Sequence, residues 1–431
     1  NGHIELREIG PLIETTIKQK GCVKFADEME GAIDPGFQVW SFDKELKGGW
    51  SDVTVAARKD APKEYYHFKT ESGREITTTG DHNMLALRDG QVVVSKSTEL
   101  KEGEYIPLPR TVSFSLNTPV TFNLLDLLKG SSRMYVVGGG SIVAKIHKAY
   151  SRETIDPRYD HYLPMYKKGR RIPLAYFNTL IKKFNRELTP EQLNSLYIMS
   201  ASGAGKLPVV INATTELGTL LGYISAEGTI NHDAIKISNL DRDVRDIIQK
   251  SCIALGVLHH TTPKDIVICD RPFIALMYAI KAGGRSKDKR ISPVVFNFPQ
   301  KIVSAYLRSY FEGDGGVDGL QVTTASKSKQ LLSEISYLLL GFGIVARLRK
   351  KTMTYKKTGG RRIFWVLALS GQTALHSFQE KIGFATRRKQ ESLASICNKN
   401  GNTNVDIIPN IAPLITELRM HFGSQLHTIP N

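Results

Sequence analysis

Two acidic residues, Glu227 and Asp314, each follow an apolar run and precede a glycine. The runs read LLGYISAEG over residues 220–228 and LRSYFEGDG over residues 307–315, and their spacing predicts two helices. A carboxylate at a helix C-terminus faces the negative end of the macrodipole, which costs roughly 0.3–1 kcal/mol. We therefore expect a cation to offset each of these charges.

Small residues recur at four-residue spacing in both predicted helices, as Gly222 with Ala226 and Ser309 with Gly313. Residues four apart share one face of a helix, so each helix carries a stripe that another backbone can approach closely. Packing the two stripes together would bring the two acids side by side. Because like charges repel at short range, this arrangement favours a divalent cation with oxygen ligands, such as Mg²⁺.

Carboxylates that hold a hard divalent cation can activate water and stabilise the charge that develops on a phosphate under attack. The pair therefore predicts hydrolysis of a phosphodiester bond. The alternative is that each acid only caps a solvent-exposed turn, and either motif alone would favour that alternative. The paired arrangement favours catalysis.

The two acidic motifs belong to an internal repeat. A shift of 87 residues superposes them and also aligns Ile235 with Val322. The second copy then carries extra residues near 347–362, after which the offset becomes 100 and pairs Lys289 with Lys389. The pattern predicts two copies of one supersecondary unit, side by side.

The paired motifs resemble those of LAGLIDADG homing endonucleases. This resemblance implies an α+β fold of two pseudo-symmetric αββαββα repeats, with Glu227 and Asp314 as catalytic acids and metal ligands. It also implies one basic catalytic residue in each repeat. The stretch KDKRISPVV at 287–295 indicates Lys289, and the repeat indicates Lys389. Each ammonium would polarise the attacking water or offset phosphate charge.

The chain departs from the family pattern at three motif positions. Ser225 and Glu312 occupy the first acidic position of each motif, to which the resemblance assigns no catalytic role. Glu227 stands where the family has an aspartate, so one expected metal ligand is longer by a methylene group.

The charge of the chain predicts an acidic polymer as its partner. Lys and Arg number 58 against 42 Asp and Glu, which gives a net charge of +16. Residues 347–362 contain eight cations and no acid, and predict a β-hairpin that turns at Gly359-Gly360 and fits the major groove of double-stranded DNA. The expected DNA-binding cations are Arg347, Arg349, Lys350, Lys351, Lys356, Lys357, Arg361 and Arg362, and in a second cluster Lys167, Lys168, Arg170 and Arg171.

The β-rich stretch 1–110 contains GREITTTGDHNML at 73–85, in which a Thr precedes a His by three residues. This block, upstream of the paired motifs, resembles the second conserved block of inteins. The resemblance implies an all-β Hint-type protein-splicing domain whose substrates are the host protein exteins. In it, His82 would assist the acyl shift at the upstream junction, and Thr79 would hold the same amide by hydrogen bonding.

The ends of the chain differ from those of a complete intein, which begins with Cys or Ser and ends in His-Asn. This sequence begins Asn1-Gly2 and ends Pro430-Asn431. We therefore expect the splicing ends to be missing from this chain, and as written it should not splice.

The patterns together predict a multidomain protein. The expected parts are a partial Hint domain over 1–110, an accessory DNA-recognition linker region over 111–205, LAGLIDADG repeats over 206–300 and 301–400, and a segment over 401–431 that returns toward the missing C-terminal splicing block. No apolar run reaches the roughly 20 residues of a membrane span, and the four cysteines include no CxxC pair. We expect an intracellular, cytoplasmic monomer.

The leading functional hypothesis is an intein-encoded homing endonuclease that makes a double-strand break in a long DNA target, the host-gene site that lacks the intein. Two alternatives stay open. One is a LAGLIDADG module that binds DNA or RNA without nuclease activity, and the other is an autoprocessing Hint protein only.

Overall fold

The computed structural model of this protein describes residues 2–26, 28–112, 119–131, 133–149, 156–354, 361–399, 409 and 411–422. Short antiparallel strands dominate the N-terminal region, residues 2–110. Its elements are α1 (Ile9–Lys20), β1 (Val23–Lys24), β2 (Glu30–Ile33), β3 (Gln38–Phe42), β4 (Gly48–Asp52), β5 (Val55–Arg58), β6 (Tyr66–Lys69), β7 (Glu75–Thr78), β8 (Asn83–Arg88) and β9 (Gln91–Lys96). They form a sheet of order β1-β2-β5 and three hairpins, β3-β4, β6-β7 and β8-β9.

Helix α1 corrects the prediction that residues 1–110 are all β. Ile13, Thr16 and Ile17 follow helical spacing and turn one face of α1 toward β2 and β5, where Thr16 and Ile17 are buried. The described part of this region buries few other apolar side chains, namely Ala32, Ala56 and Ala86. The described residues of this region therefore form one α-helix beside small antiparallel sheets.

The accessory region, residues 119–213, forms a second unit of small sheets and helices. Its elements are β10 (Thr121–Asn123), α2 (Leu124–Leu127), β11 (Met134–Val137), α3 (Gly140–Ala149), α4 (Pro157–Asp160), α5 (Leu163–Lys167), β12 (Ile172–Pro173), α6 (Leu174–Lys183), α7 (Pro190–Ser195), β13 (Tyr197–Ser200), β14 (Lys206–Pro208) and β15 (Val210–Asn212). Four strands pair in the order β12-β11-β13-β14, and β10 pairs with β15.

The accessory region extends past the boundary predicted at residues 205 and 206. Strand β14 pairs with β13, with Tyr197 opposite Pro208, and β15 pairs with β10, with Thr121 opposite Asn212. These hydrogen-bonded ladders tie the residues after 205 to the accessory region, and the domain boundary at this point stays a prediction. The first repeat begins with the helix at Thr215.

The rest of the described chain contains the predicted repeat. Repeat 1 consists of α8 (Thr215–Glu227), β16 (Gly228–Ile230), β17 (Ile235–Ser238), α9 (Arg242–Ala254), β18 (His259–Thr261), β19 (Asp265–Ile268) and α10 (Arg271–Ala279). Repeat 2 consists of α11 (Gln300–Asp314), β20 (Gly315–Asp318), β21 (Gln321–Ser326), α12 (Lys329–Leu340), β22 (Arg347–Thr354), β23 (Arg361–Leu369) and α13 (Gln372–Lys381), and is followed by α14 (Arg387–Cys397) and α15 (Ala412–Phe422).

Both repeats have the element order α-β-β-α-β-β-α and the same sheet topology. The strand orders are β16-β17-β19-β18 and β20-β21-β23-β22, antiparallel throughout. One continuous hydrophobic core joins the two repeats and the accessory region. Among the described residues, no helix is long and apolar enough to cross a membrane.

Helices α8 and α11 pack against each other through their small residues, as the sequence predicts. A Cβ atom added at Gly222 would overlap the main-chain oxygen of Tyr306 and lie 2.8 Å from the Cβ of Ser309. One added at Gly313 would lie 2.7 Å from the Cβ of Ala226. Because any larger side chain would force the backbones apart, these glycines fix how closely the two repeats approach.

A hairpin of the N-terminal region packs against repeat 2. The turn between β6 and β7 approaches β22, where the amide of Leu348 donates to the main-chain oxygen of Ser72 over 2.8 Å. Two ion pairs flank this contact, Arg347 with Glu71 at 3.2 Å and Lys329 with Glu75. A Cβ atom at Gly73 would overlap the main-chain oxygen of Leu348, so only glycine fits there.

We expect Gly73→Ala to separate this hairpin from β22, because the added methyl group meets the main-chain oxygen of Leu348 rather than a movable side chain. Hydrogen exchange at the Leu348 amide should become faster. Gly90→Ala is the matched control, because Gly90 is also a hairpin glycine with positive φ but has open space around it. Equal exchange rates at Leu348 in the two variants would contradict the prediction.

Candidate functional site

The two acids lie at the C-terminal ends of the two packed helices. Glu227 is the last residue of α8 and Asp314 the last residue of α11. The Glu227 side chain passes beside the partner helix, because a Cβ atom at Gly313 would lie 3.3 Å from its Cγ. Glu227 is half-buried, and Asp314 is exposed at the edge of an open cleft. The helix pair thus brings the two predicted acids to one end of the repeat interface.

The two predicted lysines bind the same helix ends. The Nζ of Lys289 donates to the main-chain oxygens of Ser225 at 3.0 Å and Ala226 at 2.7 Å. The Nζ of Lys389 donates to the main-chain oxygen of Gly315 at 2.7 Å and to that of Glu312. Each ammonium therefore stabilises the negative end of one motif helix, which supplies the cation that the helix-end carboxylates lead us to expect.

The electrostatics of the site couple all four groups. Burial raises the pKa of Asp314 to about 7, the charge of Glu227 adds to this, and the ammonium groups of Lys289 and Lys389 oppose it. Although Asp314 is exposed, the cleft walls around its carboxylate reduce its hydration. Burial likewise raises the pKa of Glu227, against the opposing hydrogen bond from Asn239 and the two lysines. The four side chains therefore titrate as one cluster.

Burial lowers the pKa of both lysines, while nearby carboxylates act to raise it. For Lys289 the largest such influence is Asp314, followed by Glu227. For Lys389 it is Glu312, with Glu227 also contributing. Lys289 is thus anchored on the repeat 1 helix and faces the acid of repeat 2. Two ammonium groups that hold backbone oxygens next to two acids are arranged to stabilise added negative charge.

Beside Asp314, a cleft of about 560 Å³ opens over the sheet of repeat 2. Its walls include Lys289, Asp318, Lys351 and Phe364. None of its lining residues comes from the N-terminal region. The cleft joins the acid-lysine cluster to the open face of the strands that carry the basic hairpin.

The donors at the site fit a divalent cation that keeps most of its water. Magnesium and similar ions need only one or two protein carboxylates and take their remaining ligands from water and phosphate. Glu227 and Asp314 supply such oxygens and are close enough for their like charges to interact. In the described residues, no group of three or more His, Cys, Asp or Glu side chains is placed to enclose a metal. A closed structural metal site is therefore not what these side chains build.

The basic hairpin is a two-stranded ribbon at the edge of the repeat 2 sheet. Residues pair from Arg347 with Ala368 to Thr354 with Arg361, so the connection between the strands falls within 355–360. Lys356, Lys357 and the predicted turn at Gly359-Gly360 lie outside the described residues.

Alternation along the ribbon divides the predicted DNA-binding cations between two faces. Leu348 is buried against the core, so Lys350 and Arg361 belong to that face by register. The opposite, open face carries Arg347, Arg349, Lys351 and Arg362. The ribbon therefore does not present all its cations together, and Arg347 is engaged by Glu71 of the N-terminal region.

The equivalent face of repeat 1 is shorter and less basic. Strands β18 and β19 have three and four residues, against eight and nine in β22 and β23. Lys236, opposite Val267 on β19, and the neighbouring His260 lie on this face. The sequence prediction missed both residues, although the offset of 87 aligns Lys236 with Thr323 of the cleft and could have found it.

The second predicted basic cluster is exposed but partly engaged in local contacts. Arg171 donates to the main-chain oxygen of Ala201 over 3.0 Å and lies over the Tyr135 ring. Lys167 contacts His147. Arg170 donates to Met165, and Lys168 is exposed. Arg171 therefore also has a structural role in joining parts of the accessory region.

Thr79 and His82 lie in the turn that connects β7 to β8. The amide of His82 donates to the main-chain oxygen of Thr79 over 3.2 Å, and the Thr79 hydroxyl donates to Asp81. The Lys59 ammonium and this hydroxyl hold the pKa of Asp81 at about 2. His82 is exposed. The turn brings the predicted pair together at the surface, with Asp81 as a partner that the TxxH pattern did not predict.

Three positioning contacts were also missed by the sequence analysis. Asn239 donates to the Glu227 carboxylate over 2.8 Å. Glu312 and Glu334 are buried and bind the segments that carry the two lysines. Their partners are distant in sequence, so no local motif indicates these contacts.

Comparison with known proteins finds one family model that matches part of the chain. Residues 301–383 match the LAGLIDADG-like domain. The chain is 23% identical over 423 residues to the DNA-directed RNA polymerase subunit Rpo1C of Methanocaldococcus jannaschii, covering 95% of this chain and 41% of that subunit. It is 24% identical to the reverse gyrase of the same organism, covering 85% of this chain and 21% of the gyrase.

A third similarity is to the DNA polymerase of Thermococcus sp. (strain GE8), at 23% identity over 80% of this chain and 24% of the polymerase. The chain thus spans less than half the length of each of these three relatives.

Two solved structures are also similar to parts of the chain. A mesophilic variant of the homing endonuclease I-DmoI aligns with 39% of this chain and 95% of its own, at 11% identity and a TM-score of 0.30. Full-length DUF199/WhiA from Thermatoga maritima aligns with 48% of this chain and 66% of its own, at 14% identity and a TM-score of 0.29.

Proposed function

We propose that this chain is a site-specific endonuclease that hydrolyses one phosphodiester bond in each strand of a duplex DNA target and is carried within a protein-splicing element. The observation that carries the proposal is the cluster of two acids and two lysines at the ends of the packed helices α8 and α11. The motif helix of each repeat contributes one acid and binds one lysine at its C-terminal end. Two such sets of residues suit a substrate with two strands.

In this mechanism, Glu227 and Asp314 would hold a divalent cation such as Mg²⁺ at the repeat interface. When bound, the cation would supply Lewis-acid stabilisation of the phosphate under attack and lower the pKa of a bound water. Lys289 and Lys389 would offset the negative charge that develops on the phosphate and orient the attacking water. Asn239 would fix the orientation of the Glu227 carboxylate.

The DNA would lie along the open faces of the two sheets. Because each repeat has one such face, a monomer could contact both halves of a target. The phosphates would be contacted by Arg349, Lys351 and Arg362, and the accessory cluster with Lys168 would extend the footprint. A two-stranded ribbon can enter the major groove, where base edges differ. The match of residues 301–383 to the LAGLIDADG-like domain supports this arrangement.

The relatives support the view that this chain is an inserted element. Segments similar to 80–95% of this chain occur as a minor part of an RNA polymerase subunit, a reverse gyrase and a DNA polymerase. These enzymes have different activities, so the shared segment does not explain any of them. An intein is such a segment, with Thr79 and His82 in the splicing role and the host protein as its exteins.

The endonuclease proposal is tested by selecting cleaved molecules from a library of random duplexes in the presence of Mg²⁺ and cloning the selected site into a plasmid. We expect a linear product with Mg²⁺ and intact plasmid with excess chelator. Tight, salt-sensitive binding without cleavage would favour the nuclease-inactive binding module instead. Ligation of flanking host segments, detected by mass spectrometry on a protein that carries both splice junctions, tests the splicing role separately.

The two faces of the ribbon give a prediction for DNA binding. Arg349→Ala and Lys351→Ala should each weaken binding and reduce the slope of log affinity against log salt by about 1, because one phosphate contact is lost. Lys350→Ala is the matched control, because Lys350 belongs to the opposite face by register. A slope change of the same size for Lys350→Ala would contradict this assignment of faces.

A further inference from the structure

Three acidic side chains are buried in the described part of the chain, namely Asp270, Glu312 and Glu334. A buried carboxylate is costly unless hydrogen bonds satisfy it. Asp270 caps helix α10 by accepting from the amide of Phe273 over 2.9 Å. The other two carboxylates bind the backbone of the two segments that carry Lys289 and Lys389.

Glu312 fixes the two residues directly before α14, the helix that carries Lys389. Its Oε2 accepts from the amides of Ala385 at 2.8 Å and Thr386 at 3.0 Å, and its Oε1 accepts from the Thr386 hydroxyl at 2.9 Å. The Nζ of Lys389 lies 3.7 Å from the same Oε1. One carboxylate thus binds both the backbone before Lys389 and the ammonium itself.

Glu334 fixes the segment that carries Lys289 from a different direction. It lies on α12 of repeat 2, where its Oε2 accepts from the amide of Ile291 at 2.7 Å and its Oε1 from the Nε of Arg290 at 2.8 Å. The hydroxyl of Ser328, at the start of the same helix, donates to the main-chain oxygen of Lys289 over 2.7 Å. Repeat 2 therefore holds the lysine that binds the end of the repeat 1 helix.

The two anchors are not related by the internal repeat. The residue that matches Glu312 at an offset of 87 is Ser225, whose hydroxyl accepts from Tyr306 at 2.9 Å. The residue that matches Glu334 is Ile247, which has no carboxylate. Each lysine therefore depends on its own glutamate, and neither glutamate has an equivalent in the other repeat.

We propose that Glu312 and Glu334 are positioning residues, each of which sets the place of one lysine, so that the loss of either disturbs one of the two reaction centres. This inference rests on the proposed function for its effect on DNA. The positions of the two lysines can be measured in the protein without DNA, so this part of the inference does not depend on the proposed function.

The first test therefore measures the free protein. Brief labelling with acetic anhydride, followed by mass spectrometry, reports how accessible each lysine amine is. In Glu312→Gln we expect faster labelling of Lys389 with Lys289 unchanged, and in Glu334→Gln the reverse. Equal changes at both lysines, or none in a folded variant, would overturn the proposal whether or not the protein cleaves DNA.

The second test measures each strand of the selected duplex with separate end labels. Glu312→Gln should slow cleavage of one strand and Glu334→Gln that of the other. We expect each rate to fall by up to about 10²-fold, because a displacement of about 1 Å of a catalytic group can reduce a rate by that factor. Asp270→Asn is the control, because this third buried acid binds the amides of Phe273 and Leu258 rather than either lysine segment, and it should not separate the two strand rates.

Milder variants keep the inference testable if a glutamate variant does not fold. Thr386→Val removes only the hydroxyl bond to Glu312. Ser328→Ala removes the bond to the main-chain oxygen of Lys289 together with the cap that the hydroxyl provides to the amide of Leu331. Each should slow the same strand as the corresponding glutamate variant, by a smaller factor. Equal slowing of both strands would show a general structural effect and overturn the proposal. Failure of the wild-type protein to cut either strand would instead contradict the proposed function, and the labelling result would still decide this inference.

Discussion

Cleavage of the selected duplex should fall by about 10³-fold or more in Asp314→Asn and in Glu227→Gln, while the fold remains intact. Metal-assisted stabilisation of a reacting phosphate is worth several kcal/mol, and each 1.36 kcal/mol changes a rate tenfold. Replacing either carboxylate by an amide removes an anionic ligand without changing its size. The measurement is single-turnover cleavage of the plasmid site at saturating protein.

The stability of these two variants should not fall with their activity. Because burial raises the pKa of Asp314 from its ordinary value to about 7, this carboxyl lowers the stability of the folded state progressively as the pH rises between those two values, and the full penalty remains above pH 7. Asn removes this penalty. Asp318→Asn is the matched control, because Asp318 also lines the cleft but follows the helix end by four residues. Cleavage that survives in both acid variants would refute the catalytic assignment.

Gly222→Leu should reduce the free energy of unfolding by about 3 kcal/mol or more and abolish cleavage. Overpacking a rigid interior costs about 1–3 kcal/mol, and here the added atoms overlap the main-chain oxygen of Tyr306 rather than a side chain that can move. The helices would have to separate, which would also separate the two acids. Denaturant unfolding measures the first effect, and plasmid cleavage measures the second.

The control for this prediction is Gly10→Leu. Gly10 lies in the first turn of helix α1, and its Cβ position has open space apart from its chain neighbours. Leu has a higher helix propensity than Gly, but Pro11 crowds the Cβ of the helical residue before it, so the two effects oppose each other. We expect the free energy of unfolding to change by about 1 kcal/mol or less. A similar loss of stability in both variants would mean that close packing of α8 and α11 is not what requires glycine at position 222.

The repeat and its central helix contact could be predicted because their signals are local or periodic. Small residues at four-residue spacing specify a close helix pair, and the 87-residue offset specifies a duplicated unit. The same kind of signal was available for α1, where Ile13, Thr16 and Ile17 follow helical spacing, but the neighbouring strand patterns led to an all-β prediction. The pairing of β10 with β15 across the predicted boundary at 205 could not be predicted, because it joins residues that are distant in sequence.

The parts of the site that could not be predicted depend on contacts between distant residues. Glu334 meets Arg290 and Ile291 from another repeat, and Glu312 meets Thr386 some 74 residues away. Neither pairing leaves a pattern in the sequence, since a buried acid in an apolar helix looks the same whatever it binds. The division of the cations between the two faces of the basic ribbon depends on the strand register, and the number of cations in the sequence does not indicate that register.

The unequal lengths of the two outer hairpins have a consequence for how a target could change over generations. Under the proposed function, a duplex would contact eight and nine strand residues on one side, Arg347–Thr354 and Arg361–Leu369, but only three and four on the other, His259–Thr261 and Asp265–Ile268. Base changes under the short arm should be tolerated more often than those under the long arm. Drift in that half of the site would then leave a host gene vulnerable to invasion, and would let the element spread to related genes.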